Sequence, residues 1–255
     1  MIKFFRKIRQ KLVAKNKFSK YLVYAIGEII LVVVGILIAL TINNKNEDHK
    51  IRNTALTYLK SLNREFESNL TLLDSTIGEA KGISQAAENV LVLFSPKVLD
   101  TVSEKQISQM FGEFNKEAVY KPSNGVLFEV ISSGNLKILK NETLKQKLAS
   151  FEKKVERLQV QEEEVLRLRN EMSFFLRQNG NFTTLFSLNI SQDSVIQNHI
   201  GIHSNKPIFQ SNYMLNSFIL YGIIQKSAVS YYYFPLKEEL NSIIKLIEDE
   251  IEKQS

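Results

Sequence analysis

Tyr21 to Ile42 reads YLVYAIGEIILVVVGILIALTI, a stretch with fourteen Leu, Ile or Val residues and a single charge, Glu28. As an α-helix it extends roughly 33 Å, against about 30 Å of bilayer hydrocarbon. Glu28 is the objection to a transmembrane reading, and magnitudes decide it. A carboxylate near mid-helix costs about 3 kcal/mol by analogy with Asp, whereas the branched residues contribute roughly −4 to −8 kcal/mol on the same insertion scale. Insertion wins. A cleaved signal peptide fits less well, because its apolar core is typically about 7 to 15 residues and Ala39-Leu40-Thr41 makes a poor cleavage site.

The flanks set the orientation. The chain of 255 residues carries 33 Lys plus Arg against 27 Asp plus Glu, a formal charge of +6. Eight of the basic groups and none of the acidic ones fall between Met1 and Lys20, so the other 235 residues carry a net −2. The sequence pI of about 9.2 is thus a property of the tail. By the positive-inside rule the tail stays in the cytoplasm and residues 43–255 lie outside it, with Tyr21 and Tyr24 at the interface. A near-neutral body gives no electrostatic case for nucleic acid as a partner.

The tail and the span each carry a pattern. Ile2, Phe5, Ile8 and Leu12 fall near one helical face, so Lys3, Arg6, Lys7, Arg9 and Lys11 can contact anionic headgroups of the inner leaflet; a topogenic tail without fixed structure accounts for the same charges. In the span, Tyr21, Ala25, Glu28, Val32, Gly35 and Ala39 step by 4 and 3 along one stripe, and Gly35-x-x-x-Ala39 is a small-xxx-small pair on it. This seam predicts self-association or a membrane-protein partner, with Glu28 hydrogen-bonded across it. The alternative is a carboxyl that simply tolerates lipid.

The opening block, MIKFFRKIRQKL with NKFSKYLVYAIGEIILVVVGILIALTINN after it, resembles the N-terminal signature of a family of uncharacterised single-span membrane proteins of flavobacteria and their relatives, a domain of unknown function. Lys45 stands where a Trp often follows the Asn43-Asn44 pair. FEVISSGNLKILKNETLKQKL, Phe128 to Leu148, resembles a second, weaker feature of that family. The resemblance implies an envelope-anchored protein with a helical extracytoplasmic part and supplies no catalytic residue. Together with the span and its charge step, it gives the expectation of a bacterial inner-membrane protein with its bulk in the periplasm.

Beyond the span the chain predicts an all-α fold, an antiparallel helical bundle over residues 43–255. Ala55, Leu59, Leu62, Phe66, Leu70, Leu73, Ile77, Ala80, Ser84, Ala87, Leu91 and Phe94 step by 3 or 4, the period of a long amphipathic helix that Ser95-Pro96 ends. Gly78 and Gly82 are positions where it could bend. Ser103-x-x-Gln106 predicts a capping box, Gly134 a left-handed helix terminus, and Asn141 an N-cap. Leu144, Leu148, Phe151, Val155, Leu158, Val165, Met172 and Leu176 form a second stripe, broken at Glu162 and Arg169. Those two predict a solvated stripe, a pair within the helix surface, or a face toward a neighbouring helix, the solvated stripe being preferred. Residues 181–210 predict an irregular excursion. Two closing helices follow, joined at Tyr231 to Phe234, with Pro235 at a helix N1 position.

The sequence carries little that points to chemistry. Zero Cys excludes disulfides, thiolate metal sites and a Cys nucleophile. His199 and His203 are four apart, but Gly201 between them and Pro207 beyond speak against a metal-binding helical face, and no third ligand accompanies them. Glu162-Glu163-Glu164 has no His at metalloprotease or di-iron spacing. Tyr231 to Phe234 predicts core packing rather than a docking site. No phosphate-binding glycine loop or nucleophile elbow occurs. The sequons at Asn69, Asn141, Asn181 and Asn189 mean nothing without an oligosaccharide transferase. The expectation is a non-enzymatic, cofactor-free envelope protein that contacts the lipid bilayer and acts through interaction or scaffolding. The alternative is an extracytoplasmic sensor working through a membrane partner, since a short basic tail houses no output domain.

Overall fold

The computed structural model describes residues 18–114, 116–181, 184–185 and 204–254. Among these the secondary structure is helical throughout, without strands. The chain divides into two compact units, Met1–Leu56 and Thr57–Ser255.

In the first unit the chain is helical from Phe18, the start of helix α1 (Phe18–Leu91). Every described side chain from Leu22 to Thr54 is exposed except Ala25, which is half-buried. This is the one helix among the described residues long and apolar enough to cross a membrane, and none of its apolar window is buried. The association seam lies on this helix: Glu28, Val32, Gly35 and Ala39 are exposed, and a Cβ added at Gly35 would meet nothing within 4 Å. The basic residues Lys3, Arg6, Lys7, Arg9 and Lys11 lie outside the described residues.

In the second unit the end of α1 is followed by a 3-10 turn, Val92–Phe94. Ser95 is extended at φ −82° and ψ 119°, as a residue before proline should be. Then come α2 (Pro96–Leu99), α3 (Glu104–Phe114), α4 (Gly125–Ser132), α5 (Glu142–Asn179), α6 (Asn212–Ala228) and α7 (Phe234–Gln254). Local signals start and stop them. Ser103 and Gln106 exchange the two bonds of a capping box, at 2.9 and 3.3 Å. The Asn141 side chain accepts the Leu144 N–H at 3.0 Å, and Ser211 does the same for Met214 at 3.4 Å. Gly134 has φ +70°, the left-handed conformation that favours glycine beyond a helix end.

Cross-helix contacts give the directions. Along α5, Lys147 meets Glu239 at 2.9 Å, Glu162 meets Tyr233 at 2.6 Å, and Phe175 stacks on Tyr213 with centroids 5.0 Å apart. Partner numbers fall as α5 numbers rise, so α5 runs antiparallel to α6 and α7. The same holds for α1, where Asp74 pairs with Lys237 at 2.6 Å and Glu88 pairs with Lys226. Helices α1 and α5 therefore run parallel to each other, and Phe66 against Phe151 marks their contact, with centroids 5.0 Å apart.

The core follows the predicted stripes. Leu59, Leu62, Phe66, Leu73 and Ala80 of α1 and Leu144, Leu148, Phe151, Leu158 and Met172 of α5 are buried, as are Phe218, Leu240 and Ile243 of the closing helices. Each large apolar side chain so buried contributes about 1.5–3 kcal/mol, whereas an exposed ion pair contributes about 0–1 kcal/mol. Packing therefore holds this unit, not surface charge. A second aromatic cluster, Phe94, Phe111, Phe209 and Phe218, closes the α1–α3 end, with centroids 5.3–6.1 Å apart.

Two expectations change. Glu162 does not lie on a solvated stripe: it is 4% exposed and continues the buried face of α5. Arg169 pairs with Glu117 instead of facing solvent or Glu162. The closing helices also meet differently from the expected junction, through a π-turn at Val229–Tyr233 where the Phe234 N–H reaches back to the Val229 carbonyl. In a regular α-helix Pro235 would lack a donor and press its ring on the carbonyl four residues earlier; the wider turn precedes it directly.

Candidate functional site

Lys116 to Asn124 links α3 to α4 without regular structure, and buried polar side chains from both long helices strap it down. Tyr120 is its buried residue, and the backbone N–H and C=O groups that the loop turns inward must be satisfied. The Asn69 amide accepts the Ser123 N–H at 2.8 Å and donates to the Ser123 carbonyl at 2.7 Å, so one side chain serves as a strand would. Glu65 accepts the Ser123 hydroxyl at 3.2 Å and the first N–H groups of α4, Val126 at 2.9 Å and Leu127 at 3.0 Å. A carboxylate there also suits the positive end of the helix dipole. From α5, Arg169 pairs with Glu117.

Glu162 sits at the centre. Its Oε1 accepts the Tyr120 N–H at 2.9 Å and lies 2.6 Å from the Tyr233 hydroxyl, while its Oε2 is buried without a hydrogen-bond partner. The same Tyr233 hydroxyl lies 3.2 Å from the Ala118 carbonyl, and the Tyr120 hydroxyl donates to the Asn69 carbonyl at 3.3 Å. Burial raises the Glu162 pKa above the usual carboxyl value, against the opposing pull of the Tyr233 and Tyr120 hydrogen bonds and the Lys121 charge. Burial and the neighbouring Glu162 likewise raise Tyr120 and Tyr233 far above the ordinary phenol range. The arrangement is a buried carboxyl wired to a backbone segment. Where the end of the loop meets α4 and α5 lies an apolar groove of about 160 Å³, whose lining includes Pro122, Phe128, Ile131 and Val155.

Other sequence candidates fall elsewhere. Glu163 is exposed and Glu164 pairs with Arg167. Tyr233 is buried while Tyr231 is exposed, so the aromatic run is split between core and surface. Among the described residues no three His, Cys, Asp or Glu groups gather to hold a metal ion. His199 and His203 lie outside those residues. Sequence reasoning missed Glu65 and Asn69, although both sit at core spacing beside Leu62, Phe66 and Leu73. Polar residues at apolar positions were the available signal.

Residues 28–206 match a family of unknown function, DUF6090. The chain belongs to the DUF6090 family. The family match covers Glu65, Asn69, the strapped segment, Glu162 and Arg169, and also the Phe128 to Leu148 stretch; Tyr233 and Glu250 lie beyond it. No curated protein and no solved structure is significantly similar to the chain.

Proposed function

We propose that residues 21–42 anchor this DUF6090 member in the bacterial inner membrane, as in the flavobacterial proteins its N-terminus resembles. The basic tail then faces the cytoplasm, and residues 43–255 form a periplasmic helical bundle, its closing helices antiparallel to α1 and α5, that works as a non-enzymatic interaction or scaffold component. One observation carries the anchor: the apolar window of α1 is wholly unburied, although a soluble protein's core helix of that composition would be covered. The charge step at Lys20 supports the orientation. The span's seam, Tyr21 to Ala39, is the surface for a second copy or a membrane partner.

The chain's lack of Cys makes the topology directly testable. In intact spheroplasts an impermeant thiol reagent should label Ser68→Cys and spare Lys7→Cys until the membrane is opened. The reverse pattern overturns the orientation. Crosslinked affinity purification of the intact protein then tests the role: a stoichiometric partner set supports the scaffold reading, and partners that change with an added ligand replace it with a sensor.

A further inference from the structure

We propose that Glu162 and Tyr233 form a proton-operated lock on the segment Lys116 to Tyr120. The Tyr233 hydroxyl has one to donate and two acceptors in reach, Glu162 Oε1 at 2.6 Å and the Ala118 carbonyl at 3.2 Å. With Glu162 ionised, the phenol donates to Oε1 and leaves the Ala118 carbonyl without that bond. With Glu162 neutral, a proton on Oε2 would find no acceptor, because that atom is buried without a partner. Held on Oε1 instead, the proton is donated to the Tyr233 oxygen, and the phenol turns its own proton to Ala118. One proton gained by the carboxyl thus reverses the bond between Glu162 and Tyr233 and adds one from Tyr233 to the strapped segment, while Oε2 stays without a partner in either state.

The charged neighbours favour the carboxyl as the group that titrates. The loop presents Tyr120 and, just beyond the locked segment, Lys121; the π-turn presents Tyr233, and the charge of Glu79 on α1 acts on Tyr233. Arg169, on α5 itself, is turned to Glu117. Both phenols are pushed so far up that they keep their protons throughout the range in which a buried carboxyl releases its own. Releasing that proton puts a charge in a site only 4% exposed, and the charge is relieved when the segment lifts and admits water.

The test uses the full-length protein in detergent, with hydrogen exchange of a peptide spanning residues 116–124, corrected for intrinsic exchange. In the wild type, protection should fall roughly tenfold from about pH 5 to about pH 8, and Glu162→Gln should hold it constant. Infrared difference spectra across the same range should show a protonated-carboxyl band that Glu162→Gln lacks. Tyr233→Phe removes both phenol bonds, and because the bond to Glu162 holds its pKa down, the midpoint should move to higher pH. Wild-type protection that does not vary with pH overturns the lock, as does a midpoint unmoved in Tyr233→Phe. These wild-type and Tyr233→Phe readings stand even if Glu162→Gln fails to fold.

Discussion

Glu250, near the end of the last helix, accepts the Asn141 N–H at 3.1 Å and the adjacent Lys140 N–H at 2.8 Å. A side chain 4% exposed thereby serves two amides at the entrance to α5, which has no helical partner to offer them. Glu250→Ala should lower stability by about 1–2 kcal/mol, the cost of leaving two part-buried donors without their carboxylate. The exposed neighbour change Glu248→Ala should stay within about 0.5 kcal/mol. Chemical denaturation of the two variants in parallel measures the difference.

Glu65 does the same for α4, with one oxygen on Val126 and the other on Leu127. Glu65→Ala should cost about 1–3 kcal/mol and release amide protection over residues 123–128 first. Asn69→Ala should release the same peptide, since Asn69 holds both backbone groups of Ser123. Unchanged exchange at that peptide in both variants would show that the strap is held by packing alone.

What the sequence discloses here depends on the range of the interaction. The Ser103–Gln106 box, the Asn141 cap and the left-handed Gly134 are each complete within a few residues, and all three are found as expected. The apolar stripes of α1 and α5 are legible for the same reason, because helical period needs no partner to be seen. Glu162 was visible as a break in its stripe, but its partners, Tyr120 and Tyr233, stand 42 and 71 positions away. A charge on an apolar face is read as solvated unless those partners are known. Asn69 was hidden differently: the adjacent Leu70 has the expected residue type, yet it is only half-buried and Asn69 takes the core position. The π-turn was not legible at all, since Pro235 alone is equally consistent with a new helix start.

Glycines separate along the chain by what surrounds them. A Cβ at Gly78 or Gly82 would meet nothing within 4 Å, inside a continuous helix. Gly78→Ala and Gly82→Ala should each stabilise by about 0.5–1 kcal/mol. At Gly180 the added atom would lie 2.8 Å from Ile208 Cδ1 and 2.9 Å from the Leu176 carbonyl oxygen, and the second is backbone that cannot turn aside. Gly180→Ala should destabilise by about 1–3 kcal/mol. Thermal melting that ranks Gly180→Ala above either helix variant would contradict this.

Glu239 reports on acid stability. Burial works against its carboxylate, but hydrogen bonds from Lys147 and Lys154 outweigh it and hold its pKa below the ordinary value of 4.5. A lowered folded pKa means stability that is present above the ordinary value and lost as the pH falls through the folded one. Glu239→Gln should therefore melt below the wild type at pH 7, and the gap should close on acidification to about pH 3. A gap independent of pH would assign the effect to shape, not charge.

The seam in the span gives the last prediction. Glu28, Val32, Gly35 and Ala39 share one face of α1, and Ile30 and Leu37 lie on the other. A polar side chain in lipid gains about 1–2 kcal/mol from a hydrogen bond across a helix pair, and small residues let the backbones approach closely enough to form it. Glu28→Leu and Gly35→Ile should therefore shift the protein toward smaller species in mild detergent, whereas Ile30→Ala and Leu37→Ala should not. Light scattering reads the mass, and affinity purification of the same variants reads the partners. If Glu28→Leu changes neither, the carboxyl simply tolerates lipid, and if Gly35→Ile is equally silent, the seam does not build any assembly of this protein.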